Sequence, residues 1–312
     1  MINTVTLNPA LDLILYLGSF RRNITNRTDA PTVTMGGKGT HVSMDLQLMG
    51  VPSRAYGFGY GESGKRIMQM LEQSGVQARF VYDAAHGESR SNYLIVEKDS
   101  GDATLIATKG PTPTDAHVQA LYDLMDSDLG MSEALVLSGD ASNFPDPQVY
   151  DRIMDRLAPK NLRIYLDASG ATLLQAVQRS PFLIKPNQDE MELLTGLPME
   201  DPADVRRGIE ALDRRCSIEN IVVSMGGQGS LARIGSDLYR IRAPKVNVSN
   251  TVGCGDCLLA GLIRGFEQNL CPEELLAYAT ACSASTAESP LSVGFDTQRA
   301  KELISQVQIE KL

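Results

Sequence analysis

The sequence predicts an α/β fold built on a largely parallel sheet, with a small antiparallel sheet standing off it. Three observations carry this expectation. Short β-rich apolar runs alternate with amphipathic helical patterns almost to the end of the chain, which is the pattern of βαβ units. Two stretches, Asp12–Thr34 and Ser91–Thr108, break the rhythm with extended, alternating segments, and the second has no crossover helix between its strands. The length of 312 residues suits one large α/β domain, alone or with a small accessory element.

The elements follow in order. "NTVTL", "ALVLSG", "RIYLDAS", "FLIKPN" and "NIVVSMGG" each read as a buried strand closed by Gly, Ser, Asn or Pro. Between them lie helix-period segments at His41–Met49, Lys65–Ser74, Pro147–Leu157 and Pro202–Leu212. In the second irregular stretch "KDSGD" reads as a hairpin turn. Beyond Phe266 the pattern is wholly helical, over Pro272–Ser289 and Thr297–Val307. There is no internal repeat and no low-complexity linker.

Composition narrows the function. The formal net charge is -9, with 43% hydrophobic and 21% charged residues, ordinary for a globular chain. No apolar run reaches membrane-spanning length, and "MINTVTLNPALDL" puts no basic region ahead of an apolar one, so no signal peptide is expected. Five cysteines, an odd number, make no disulfide framework. The expectation is a reduced, cytoplasmic protein with buried thiols. The acidic balance and the lack of a Lys/Arg-rich tract argue against nucleic acid as a partner. An anionic small molecule remains open, provided that the positive charge it needs is local.

Ligands of open parallel sheets bind beyond the carboxyl ends of the strands. "LNPALD", "SGDAS", "LDASG", "KPNQDE" and "SMGGQG" all sit there. Two of them carry named candidates. Asp12, just past the first strand, could accept from sugar hydroxyls, since an ionised Asp only accepts; it could equally be a turn residue. In "KPNQDE", Lys185, Asn187 and Glu190 are polar at a strand end. Asn187 could reach nucleotide phosphate and Glu190 could hold magnesium through water, or Pro186 simply ends the strand and Asn187 caps the next helix.

Three further motifs contain glycine or arginine. In "MGGKGTH", Gly36 and Gly37 allow close backbone approach and Lys38 offers a point charge suited to phosphate; a surface lysine on a turn explains it as well. "GESR" places Arg90 before the second extended stretch, and a forked guanidinium suits a terminal phosphate, although a lone Arg is usually solvated. "GYGESGKR", 59–66, meets the outline of two nucleotide motifs. It lacks the Ser/Thr of a P-loop and comes fifty residues after the strand a dinucleotide motif should follow, so a loop leading into a helix is the expectation.

"NTVGCGDCLLAGLIRGF", 250–266, is the most informative stretch. As Cys-x-x-Cys it lacks a second ligand pair for zinc. As a redox dithiol it has Asp256 beside the thiols, which opposes a thiolate. As Gly253-x-Gly255-Asp256 opening a helix, it brings backbone N–H groups toward an anion and sets a carboxylate beside it. Phosphoryl transfer to an alcohol needs such donors and such a base. A Gly-rich turn with Asp256 as an N-cap is the plainer alternative.

In this order, "TVTLNPALD", "GGKGTHVS", "GFGYGESGKRI", "GESR", "IKPNQDEMELLTG", "VVSMGGQGS" and "VNVSNTVGCGDCLLAGLIRG" resemble the ribokinase-like (phosphofructokinase B type) carbohydrate kinases, in the 1-phosphofructokinase and tagatose-6-phosphate kinase branch. The resemblance spans nearly the whole chain. It implies a single ribokinase-like kinase domain over 1–312, a three-layer α/β/α sandwich with a small β-sheet lid formed by about 12–34 and 91–108, and a homodimer through the lid. It implies ATP-dependent phosphorylation of a phosphorylated ketohexose, fructose 1-phosphate to fructose 1,6-bisphosphate, with Mg2+ and a monovalent cation as a further candidate.

By motif, the resemblance makes Asp256 the general base, with Gly253, Cys254 and Gly255 lending N–H groups to the anion hole. Asp12, Gly37 and Lys38 would contact the sugar phosphate, with His41 beside them, Arg90 at its phosphate and Arg27 of "TNRTD" at a basic lid position. Lys185, Asn187, Glu190, Ser224, Gly226, Gly229, Thr251 and Ser285 would serve ATP and magnesium, and the helix around Ala281–Ser285 would border the adenine. The chain departs from the family pattern at Cys254 (usually Ala), Cys257 (Ser or Thr), His41 (Asn), "SGDASNFPD" and the C-terminal end. Rival readings are tagatose 6-phosphate or another sugar or nucleoside as acceptor, a non-catalytic sugar-phosphate sensor, and a thiol oxidoreductase using Cys254 and Cys257.

Overall fold

Three strands precede the first helix, and strands and helices then intersperse along the chain. β1 (Ile2–Thr6) leads to β2 (Ala10–Leu17), β3 (Thr32–Gly36), α1 (Lys38–Leu48), β4 (Ser53–Tyr60), α2 (Gly61–Gln73) and β5 (Gln77–Asp83). Next come β6 (Arg90–Glu97), β7 (Ala103–Ala107), α3 (Asp115–Asp128), β8 (Ala134–Gly139), α4 (Val149–Leu157), β9 (Arg163–Ala168) and α5 (Gly170–Ala176). β10 (Leu183–Ile184), α6 (Gln188–Thr195), α7 (Pro202–Asp213), β11 (Asn220–Ser224), β12 (Ser230–Ile234) and β13 (Asp237–Arg242) follow. The chain closes with α8 (Cys254–Glu267), α9 (Pro272–Ala287), α10 (Thr297–Ile304) and β14 (Gln308–Lys311). This computed structural model describes residues 1–312 apart from Gly101 of "KDSGD" and Asp140 of "SGDAS".

Ten strands of one sheet run in the order β14-β13-β12-β11-β10-β9-β8-β1-β4-β5. Those from β11 to β5 are parallel, and the last three on the other edge are antiparallel. From β1 the chain moves outward to β4 and β5, then returns to β8 and proceeds the other way. The switch point therefore lies between β1 and β8, where open α/β sheets gather ligands.

Side-chain alternation explains the layers. On β8, Leu135 and Leu137 face one core with Val5 of β1, while Ala134 and Val136 face a second with Ile2. α3 to α7 cover the first core; α1, α8 and α9 cover the second. Burial on both faces is why the central strands read as continuous apolar runs. The result is the expected three-layer α/β/α sandwich, with β3-β2-β6-β7 as a separate small sheet.

Four details differ from expectation. The small sheet is mixed, because its central pair β2 and β6 is parallel, Asp12 opposite Asn92. "GYGESGKR" is no loop: β4 passes directly into α2, and Glu88 accepts from the N–H groups of Glu62 (3.2 Å) and Ser63 (2.8 Å). A carboxylate thus occupies the helix end that a phosphate motif would need open. The C-terminal segment is not wholly helical, since β14 pairs with β13. The β12–β13 hairpin at the same edge also escaped the sequence reading. No helix among the described residues is long and apolar enough to cross a membrane.

Candidate active site

The first turn of α8 organises the cleft. Its N-cap is Gly253, at φ 84, and a Cβ there would lie 2.0 Å from the Ser292 carbonyl oxygen. Only glycine fits that combination of left-handed backbone and contact. Asp256 is not the N-cap but the third helical residue. Cys254 N–H turns back to the Thr251 carbonyl at 3.4 Å. The N–H groups of Gly255 and Asp256 have no acceptor within the helix, so the turn presents donors and the positive end of a dipole beside a buried carboxylate.

Asp256 has a specific partner. His41, buried on α1, brings Nδ1 to 2.7 Å from Asp256 Oδ2, and its Nε2 donates to the Met35 carbonyl at 2.8 Å. A carbonyl only accepts, so Nε2 carries a proton; opposite an ionised Asp256, Nδ1 carries one too. Burial opposes charge on the ring, but the hydrogen bond and charge of Asp256, with Asp12 and the Met35 carbonyl, outweigh it and raise the His41 pKa to about 9.

The small sheet closes one end of the cleft. Asp12 is buried on β2 and accepts from Asn92 Nδ2 at 2.8 Å. Burial pushes its pKa up, against the pull of His41, Asn92, Ser292 and Arg90. A Cβ on Gly36 of the facing strand would sit 2.0 Å from Asp12 Oδ1, so glycine there makes room for the carboxylate. Arg90 opens β6, donates through Nε to the Asn8 carbonyl at 2.9 Å, and lines the cleft with Gly37.

A charged network crosses the floor. Asp167, buried at the end of β9, lies 2.9 Å from Lys38 Nζ and 3.3 Å from Lys185 Nζ, and Glu190 Oε1 stands 3.4 Å from Lys38. Burial alone would raise the Asp167 pKa, but the two lysines hold it below the ordinary carboxylate range. The charge of Lys38 is therefore shared with two carboxylates rather than standing free for phosphate, as the sequence had suggested. Asn187 and Glu190 form a reciprocal capping box at α6: Asn187 Oδ1 accepts from Glu190 N–H at 2.7 Å and Glu190 Oε2 accepts from Asn187 N–H at 3.0 Å. The capping alternative is thus realised, and both residues still line the cleft.

The far end is glycine-rich and apolar. Ser224, Gly226, Gly229 and Thr251 line it, together with Val246, Val248, Ala284 and Ala287. The whole cleft holds about 690 Å3. Two expected residues are not brought in. Ser285 points away and donates to the Asp296 carbonyl at 3.0 Å; the helical period puts Thr280, Ser283, Ala284 and Ala287 on the cleft face instead. Arg27 is exposed in the irregular 18–31 segment and does not line the cleft.

The thiols do not suit redox chemistry. Burial, then Asp256 and Asp45, push the Cys254 thiol up to about 12, and fully buried Cys257 is raised as well. A reactive thiol needs the opposite shift. Cys257 packs with Cys282, Ala300, Tyr278 and Phe295.

The sequence pattern of the pfkB family carbohydrate kinases matches residues 5–296. The chain belongs to that family. Within it, this kinase is 31% identical over 313 residues to a 1-phosphofructokinase of Bacillus subtilis (strain 168), covering all of both chains. It is 31% identical over 310 residues to a 1-phosphofructokinase of Vibrio cholerae, covering 99% of this chain and 96% of that one. The fold matches the phosphofructokinase-2 of Escherichia coli in complex with substrates and products, with a TM-score of 0.90 at 22% identity, over 97% of this chain and 98% of that one.

Several cleft residues of this carbohydrate kinase were missed from sequence. Asp167 lay within "LDASG", a motif noted for its place but given no residue. Asn92 reads as one polar residue of a strand, and nothing local announces its partner Asp12. Val246 and Val248 form an alternating pair in "KVNVSN", which could have marked an apolar rim.

Proposed function

We propose that the protein transfers the γ-phosphoryl group of ATP to fructose 1-phosphate, giving fructose 1,6-bisphosphate. The observation that carries this reading is the Asp256 carboxylate at the amide-rich turn of α8, midway along one cleft. The Asp12, Asn92 and Arg90 end takes the sugar phosphate, and the Gly226, Val246 and Ala284 end takes the nucleotide. The 1-phosphofructokinase names of the full-length relatives support the acceptor.

Asp256 accepts the proton of the attacking hydroxyl, oriented by His41. The N–H groups of Gly255 and Asp256 stabilise the charge on the transferring phosphoryl oxygens. Asp12 and Asn92 orient sugar hydroxyls, while Arg90 holds the sugar's phosphate. Lys185 serves the nucleotide phosphates, with Lys38 shared between them and its carboxylates.

A carboxylate-rich oxygen donor set suits Mg2+. Asp167, whose buried Oδ2 meets only Lys185 Nζ at 3.3 Å among the described residues, and Glu190 fit such an ion, with Glu190 acting through water. Held there, Mg2+ would supply positive charge to offset that of the nucleotide phosphates.

The small sheet acts as a lid that excludes water and so limits ATP hydrolysis. Its exposed Tyr93 and Ile106, opposite each other on β6 and β7, support a homodimer through that sheet. The testing experiment is a coupled ADP-release assay with ATP and Mg2+, with and without K+. Its acceptors are fructose 1-phosphate, tagatose 6-phosphate and unphosphorylated ketohexoses. Fructose 1-phosphate should give the highest kcat/KM; faster turnover of an unphosphorylated sugar would overturn the acceptor assignment.

A further inference from the structure

Three histidines occur in the chain. His41 serves the cleft; the other two meet elsewhere. His86 and His117 converge on Asp83, with one ligand atom from each of the three within 4.8 Å of the others. Asp83 Oδ2 accepts from His117 Nε2 at 3.1 Å, and the two imidazoles stand edge to face with centroids 4.7 Å apart.

The surroundings fit ligands rather than a plain surface pair. His86 Nε2 donates to the Thr112 carbonyl at 2.8 Å, which leaves its Nδ1 with the lone pair. Metal-binding histidines are oriented by such an outer hydrogen bond. Asp83 Oδ1 is fixed by the Ala85 N–H at 2.8 Å. Tyr60 packs its ring 5.1 Å from His86 and 5.5 Å from His117. Its hydroxyl is buried without a hydrogen-bond partner among the described residues.

We propose that Asp83, His86 and His117 bind one divalent transition-metal ion of the Zn2+ class, away from the kinase cleft. Two imidazoles and a carboxylate form a nitrogen-rich donor set that selects Zn2+ or Co2+ over Mg2+. The ion takes the place of the proton between His117 Nε2 and Asp83. The ring then shifts its proton to Nδ1, giving up the 3.2 Å bond that Nδ1 accepts from Thr114 N–H. Thr114 Oγ1 still caps α3 by accepting from His117 N–H at 3.3 Å.

The position has a consequence. Asp83 ends β5, His86 lies in the passage from β5 to β6, and His117 is in the first turn of α3, just after the passage out of β7. One ion would clip together the incoming and outgoing passages of the β6–β7 hairpin, which carries Arg90 and Asn92.

Calorimetric titration of Zn2+ into the chelator-stripped full chain, with Mg2+ in excess, tests this. One Zn2+ per chain should bind. Affinity should fall by at least about tenfold in His86→Ala and in Asp83→Asn, while circular dichroism and Mg2+-supported basal kinase activity of both variants without Zn2+ stay at the wild-type level. Co2+ should give the visible absorption of a low-symmetry nitrogen-and-oxygen site in the wild type and lose it in both variants. No Zn2+ uptake by the wild type, or equal uptake by His86→Ala, would overturn the assignment.

Discussion

Nδ1 of His41 lies 2.7 Å from Oδ2 of Asp256, and both side chains are buried. Two acceptors flank the ring, so it holds two protons while Asp256 is ionised, up to its raised pKa of about 9. Folding raises that pKa from 6.5, so the pair's stabilisation is complete below pH 6.5 and is lost as the pH rises through about 9. Above that, a ring lone pair faces the Asp256 carboxylate and its orientation loosens. At saturating substrates kcat should therefore decline through pH 9. In His41→Asn, whose amide donates without titrating, that alkaline limb should vanish. His41→Ala leaves a buried carboxylate unpaired and should cost about 3–5 kcal/mol of stability, more than the Asn variant by thermal melting.

The Gly253 turn should tolerate no side chain. Gly253→Ala forces a Cβ to 2.0 Å from the Ser292 carbonyl at a backbone of φ 84. The left-handed conformation alone costs about 1–2 kcal/mol. Both the melting temperature and kcat should drop; a stable, fully active variant would remove the turn from the account.

Cys254→Ala should leave the kinase active. The turn uses backbone N–H groups at this position, and the thiol, pushed up to about 12, is not available as a nucleophile. Wild-type kcat in the variant, with or without reductant, is the expected result. Loss of turnover on this change would favour the thiol chemistry instead.

The legible parts of the molecule are those whose cause is local. Strands β1, β8, β9 and β11 show as apolar runs because helices cover both their faces. The α8 turn shows because glycines and a helix start are adjacent in sequence. β14 does not show, since "QIEK" is a four-residue edge strand with one partly buried apolar side chain. The parallel pairing of β2 with β6 joins segments about eighty residues apart, and no local pattern encodes it. His41 and Asp256 are separated by 215 positions, so a residue read as a sugar contact is found hydrogen-bonded to Asp256. Ser285 was misassigned for another reason: a five-residue window on a helix does not fix which face meets the cleft, and its neighbour Ala284 does.

Arg90 should act on binding. Its Nε is held by the Asn8 carbonyl, and its side chain lines the cleft. Arg90→Ala should raise KM for fructose 1-phosphate while kcat and KM for ATP change little. A variant with unchanged KM for the sugar phosphate would move the phosphate site elsewhere.

The most direct measurement is kcat of Asp256→Asn with ATP and fructose 1-phosphate, paired with calorimetric binding of the sugar phosphate. The account predicts a fall of roughly 10²–10⁴ in kcat with binding retained. Turnover near the wild-type rate would contradict it.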